Sequence, residues 1–66
     1  MSHLYSGPGD YVAVCNNPNF NGHYIKRFSI PNDPEFANVE AGWYFLNKVD
    51  FVACLENVYP ASIFEK

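Results

Sequence analysis

Positive charge is the scarcest commodity in this sequence: Lys26, Arg27, Lys48 and Lys66 stand against seven carboxylates, for a net charge of -3 over 66 residues. Only Lys26 and Arg27 are adjacent, so there is no basic stripe to neutralise a row of phosphates, and direct nucleic-acid binding is not expected. Long apolar runs are missing as well. No stretch approaches the roughly 18 residues of a membrane span. The segment from Met1 to Asp10 lacks the charged n-region and apolar h-region of a secretory signal. The expectation is a cytoplasmic protein with no membrane partner.

Cysteine is limited to Cys15 and Cys54. Cytoplasmic thiols stay reduced, so the pair reads as two small buried core residues, although both fall in strand-like segments from which they could face each other across a sheet. Together with His3 and His23 they follow no CxxC or HxxxH spacing, and neither a metal nor another cofactor is expected. Catalytic raw material is equally thin. Cys15 and His23 are of the right types for a nucleophile and a base, yet a thiolate needs a nearby cation or helix N-terminus, and nothing places the two together. Asp33, Glu35, Glu40, Asp50 and Glu56 are scattered as solvated residues are, and no Lys-Ser/Thr follows Gly7-Pro8-Gly9 to make a phosphate loop. The chain is therefore expected not to be an enzyme.

What the chain does have is apolar and aromatic substance: 48% of its residues are hydrophobic and 18% aromatic, with only 17% charged, against an average near 25% charged. A domain this small buries only about 60% of its unfolded surface. Its single core supplies roughly 3 to 5 kcal/mol. Twelve aromatic residues exceed what such a core absorbs along with its aliphatics. Some must be exposed or covered by another chain, and aromatic residues are enriched in interface hot spots.

Residues 1–66 read as one domain, with a lead-in tail over 1–10 and a C-terminal tail over 60–66. Tyr11 to Cys15 is a short run of β-formers between breakers, a buried strand. Asn16 to Gly22 is rich in turn-capable residues, with Gly22 expected at positive φ. His23 to Ile30 is a second strand, with Tyr24, Lys26, Phe28 and Ile30 on one face and Ile25, Arg27 and Ser29 on the other. Asp33, Pro34 and Glu35 then match an N-cap, a first helical position and an acidic first turn, so a helix should start near Pro34. Two continuations are open. The stripe Phe36, Val39, Trp43 and Leu46 carries the helix to Leu46; alternatively the helix stops near Ala41, Gly42 terminates it, and Trp43 to Leu46 form a strand buried on both faces. The second is preferred, because four consecutive large apolar residues cannot all face one core from a helix. Val49 to Val58 reads as a long central strand.

Val12 to Gly22, with the turn residues Pro18, Asn19, Phe20 and Gly22, resembles the opening hairpin of a βγ-crystallin-type Greek key. Leu46 to Phe51 lies where that family carries its calcium loop, but lacks the adjacent Asp/Asn pair and the Ser or Thr that bind calcium. The resemblance implies an all-β Greek key completed by dimerisation, without strong calcium binding. In size, acidity and element order, though in no motif, the chain is also similar to small phage-encoded inhibitors of host enzymes. The preferred architecture is α+β, a small antiparallel sheet of three to four strands with one helix. The expected role is contact with another protein, as an inhibitor or adaptor docking on a larger macromolecule; the alternative is a self-associating homodimeric module. Glu40, Trp43, Tyr44, Phe45, Tyr59 and Phe64 are the candidate contact residues.

Overall fold

The computed structural model describes residues 6–64, Phe20 by its backbone alone; His3, Tyr5, Glu65 and Lys66 lie outside them. Its architecture is α+β: three antiparallel strands and one short helix. Strand β1 (Gly9–Asn17) and strand β2 (Gly22–Ile30) form a hairpin paired from Asn17↔Gly22 to Gly9↔Ile30. Strand β3 (Leu55–Pro60) returns to the other side of β1, giving the order β2-β1-β3. β1 is thus the central strand, and the connection from β2 to β3 carries the helix. The all-β alternative is not the architecture found.

The hairpin turn forms as its residues dictate. Pro18 opens a single 3-10 turn that ends at Phe20, the Asn17 side chain accepts from the Asn19 N–H at 2.9 Å, and the Asn21 N–H closes the turn on the Pro18 carbonyl at 3.1 Å. Asn21 (φ 64°) and Gly22 (φ 113°) both take the left-handed region, which Asn tolerates and Gly favours. Pro18, Asn19, Phe20 and Gly22 therefore occupy the turn assigned to them.

The helix lies later than its start signal. Asp33 does cap: its carboxylate accepts from the Glu35 N–H at 3.0 Å, and Pro34 begins a helical turn. That turn is a single 3-10 one, Pro34–Phe36, and it does not propagate. The backbone is extended at Glu40 instead and pairs with the N-terminal segment: the Gly7 N–H donates to the Val39 carbonyl at 2.9 Å, and Ser6 bridges Glu40. Helix α1 runs from Ala41 to Tyr44 and continues as a wider π-helical turn from Phe45 to Val49, closed by the Asp50 N–H on the Phe45 carbonyl at 2.6 Å.

The strand expected at 43–46 is accordingly corrected to helix. Trp43 escapes the packing problem by facing solvent, while Phe45 enters the core and Tyr44 and Leu46 flank it. The long central strand expected at 49–58 is likewise corrected to a shorter outer one, since β1 takes the centre. Val49 ends the helix, Asp50 to Ala53 form a turn, and pairing with β1 covers Leu55 to Pro60. The N-terminal lead-in is shorter than expected as well, since Gly9 and Asp10 already belong to β1.

One face of the sheet meets the helix. Tyr11, Ala13 and Cys15 from β1 and Phe28 and Ile30 from β2 pack with Ala41 and Phe45 from α1, and Leu55 and Val58 from β3 border them. The Phe28 ring sits 5.2 Å from Phe45, 5.6 Å from Tyr11 and 6.3 Å from Tyr44, each pair worth roughly 0.5 to 1.5 kcal/mol beyond its buried area. Phe45 is fully buried. Phe45→Ala should cost about 3 to 5 kcal/mol, comparable with the whole stability of so small a domain. The expected outcome is loss of the cooperative thermal transition in circular dichroism, whereas a retained sharp transition would show that the helix is not anchored there.

Candidate interaction surface

The six candidate contact residues separate into two groups. Glu40, Trp43, Tyr44 and Phe45 belong to the helix side. Phe45 is corrected from contact residue to core residue, because its ring fills the space between helix and sheet. Tyr44 is half-buried, with Phe28 stacked on it and Phe36 edge-on at 5.2 Å. Glu40 is exposed, and its carbonyl accepts the Tyr44 N–H. Trp43 is 47% exposed on the outer side of α1. Tyr59 and Phe64 lie elsewhere, brought together with their rings 6.1 Å apart and edge-on.

The strand register puts that pair on the sheet face turned away from the helix. Side chains alternate along a strand, so with Tyr11, Ala13 and Cys15 facing the helix, Val12 and Val14 face outward. Val12 stands between Arg27 and Tyr59, and Val14 between Ile25 and Asn57. The turn Ala61–Ile63 packs against β1 at one end of this face, burying Ala61, and Val12 is buried too. The remainder is open: Ile25 is 64% exposed, Ile63 55% and Phe64 50%. At the other end the His23 Nε2 and a Glu56 carboxylate oxygen meet at 3.0 Å, joining β2 to β3 above the central strand. Glu56 reaches that position because the β1–β3 register shifts between Val14 and Cys15, leaving it as the extra residue of a bulge. The face therefore sets the apolar Val12, Val14, Ile25 and Tyr59 among the polar Arg27 and Asn57, with the His23–Glu56 pair at one end.

A second apolar feature is the turn after the helix, where Phe51 and Val52 are 81% and 67% exposed. Their neighbours form a small polar cluster. The Tyr24 hydroxyl donates to an Asp50 carboxylate oxygen at 3.4 Å and is in hydrogen-bond contact with the Cys15 thiol. Burial pushes the Cys15 thiol above its ordinary 9.0 and outweighs the hydrogen bond with Tyr24, which acts the other way, while the Asp50 charge adds to the rise. Tyr24 is pushed up to about 12 by desolvation first, then by its contacts with Cys15 and Asp50. This environment holds the protons on, the reverse of what a nucleophilic thiol requires. Cys15 and Cys54 are both free thiols, Cys15 buried and Cys54 exposed, so the expectation of two buried cysteines holds for the first and is corrected for the second. Cys54 lies outside the strand, at the point where its carbonyl accepts the Asn16 N–H and β3 has yet to begin. Among the described residues no group of three or more His, Cys, Asp or Glu is placed to hold a metal ion, and no helix is long and apolar enough to cross a membrane.

Sequence reasoning missed Ile25, Phe51 and Val52 as surface residues. Ile25 had a signal: it is the one large apolar residue on a strand face otherwise assigned to Arg27 and Ser29. Phe51 and Val52 had none, since the β-branched run around them reads as strand. Comparison with family models, with curated proteins and with solved structures finds no match to this chain.

Two outcomes follow from the cluster. A thiol reagent such as dithionitrobenzoate should titrate one cysteine in the native protein and two after denaturation; two fast-reacting thiols in the native state would contradict the burial of Cys15. Cys15 and Tyr24 hold their protons more tightly folded than unfolded, so their stabilisation is intact below about pH 9 and declines as pH rises towards about 12. Melting temperature followed against pH should fall across that window, less steeply at its upper end in Tyr24→Phe. An equal slope in both proteins would remove Tyr24 from the account.

Proposed function

We propose that this chain is a non-enzymatic protein that works by contact with another protein, as an inhibitor or adaptor docking on a larger macromolecule through the open face of its sheet. The observation that carries this reading is the one-sided layering. A sheet has two faces, and here the helix covers one while the second keeps Ile25, Ile63 and Phe64 half or more exposed beside Val14 and Tyr59. Contiguous apolar surface with a polar rim is a mark of interaction sites. Tyr59 and Phe64 supply the aromatic anchors that such sites favour, and the His23–Glu56 pair supplies a polar border. The shortage of cations and the net negative charge direct the reading to a protein and away from nucleic acid.

The test is a double substitution, Ile25→Thr with Phe64→Ser, which leaves the helix-side core untouched. The variant should melt cooperatively, as the parent does, and remain monomeric by light scattering at micromolar concentration. Affinity capture with quantitative mass spectrometry should recover a protein with the parent and lose it with the variant. Identical capture by both would overturn the assignment of this face, and a parent dimer that the substitutions dissolve would assign it to self-association instead.

A further inference from the structure

Eight asparagines are spread along the chain, and only Asn21 is followed by glycine. That dipeptide has a chemistry of its own. The backbone nitrogen after an asparagine is able to attack the side-chain carboxamide carbon, and a side chain on the attacking residue hinders the approach. Gly22 has none, and beyond its chain neighbours no heavy atom lies within 4 Å of the place a Cβ would take there. Asn21 is exposed. The other seven precede residues with side chains, including, at Asn17, a proline whose nitrogen carries no proton to give.

The folded turn holds the two reacting groups apart. Asn21 sits at φ 64° and ψ 39°, and its N–H donates to the Pro18 carbonyl at 3.1 Å. In an L-residue at that ψ the nitrogen of the next residue lies nearly opposite Cβ across the Cα–C bond, whereas ring closure needs the two eclipsed. Gly22 is also paired with Asn17 at the first rung of the β1–β2 ladder. Attack therefore requires the turn to open.

We propose that Asn21–Gly22 is a self-modification site gated by the hairpin: it deamidates when the turn opens, and its isoaspartate product keeps the turn from closing. The Gly22 nitrogen bonds to the Asn21 Cγ and gives up its proton, the carboxamide nitrogen leaves as ammonia, and a five-membered succinimide remains. Water then opens that ring at either carbonyl; no oxidant or reductant takes part. Addition at Cγ gives aspartate with a normal backbone, which tolerates the left-handed region as asparagine does. Addition at the backbone carbonyl gives isoaspartate, in which the main chain runs through Cβ and Cγ and is one atom longer. That atom falls between the Asn21 N–H bonded to Pro18 and the Asn17↔Gly22 pair. The turn then no longer fits the register that sets Phe28 against Tyr11. Opening the hairpin becomes irreversible, and the lifetime of the folded chain is limited by its own sequence.

The test incubates the full-length protein in mildly alkaline buffer with and without denaturant. Peptide mass spectrometry follows each asparagine, and enzymatic methyl transfer detects isoaspartate. Position 21 should be the fastest site in denaturant and about tenfold or more slower in the folded protein, because local opening has to precede attack. The purified isoaspartate form should melt below the parent, whereas Asn21→Asp, with the charge but not the extra atom, should melt as the parent does. A smaller difference between folded and denatured rates, or faster reaction at another asparagine, would overturn the gated site. An isoaspartate form that melts with the parent, or an Asn21→Asp variant that melts as low as that form, would overturn the latch. None of these outcomes involves the open face, so the proposed function stands or falls separately.

Discussion

Phe28 touches Tyr11, Tyr44 and Phe45, so its ring stands at the centre of the contact between sheet and helix. The rest of the structure is arranged to keep that contact. Phe28 is presented by β2 only because the Pro18–Phe20 turn fixes the hairpin register that pairs it with Tyr11. Phe45 reaches it only because the chain between β2 and α1 is fastened to the N-terminal segment at Gly7 and Val39. The Tyr11 hydroxyl closes the circuit by donating to the Gly7 carbonyl at 3.0 Å, which ties the same segment to the ring stack. In a domain with so little core, one residue of register error would turn the aromatic set outward.

The second consequence of small size is asymmetry. Nine residues of helix cover one side of three strands, and the C-terminal turn screens only part of the other. The aromatic surplus visible in the composition is thereby divided. Tyr11, Phe28, Phe36, Tyr44 and Phe45 are consumed in or against the core, while Trp43, Phe51 and Phe64 stay at the surface. The open face reaches the outer strand β2 at Ile25, which is 64% exposed.

Much of this was legible in the residues. The two hairpin strands, their facing sets and the turn between them follow from alternation and from Pro, Asn and Gly chemistry, which are local properties. The Asp33–Pro34 signal makes a capped helical turn, but the helix expected to start there begins at Ala41. How far that turn would extend was not legible, because it is decided by Ser6 and Gly7, some thirty residues earlier in the chain, which take the backbone groups of Val39 and Glu40. Trp43 to Leu46 was misread for a related reason: the assumption that every large apolar residue must be buried fails when the core is one-sided and Trp43 is left in water. Of the contact residues, neither the pairing of Tyr59 with Phe64 nor the burial of Phe45 was legible, the second because it depends on the helix beginning at Ala41.

The position of β3 carries a consequence in time. The hairpin needs only the first thirty residues, but β1 cannot gain its second neighbour until Leu55–Pro60 exist, as Tyr11 pairs with Pro60. Such distant pairings close late, after the entropy of the intervening loop has been overcome. On a ribosome the apolar central strand therefore waits half-paired while more than twenty further residues are made. Its exposed side during that interval is the one β3 later occupies, and the nascent chain is most vulnerable to wrong strand partners there.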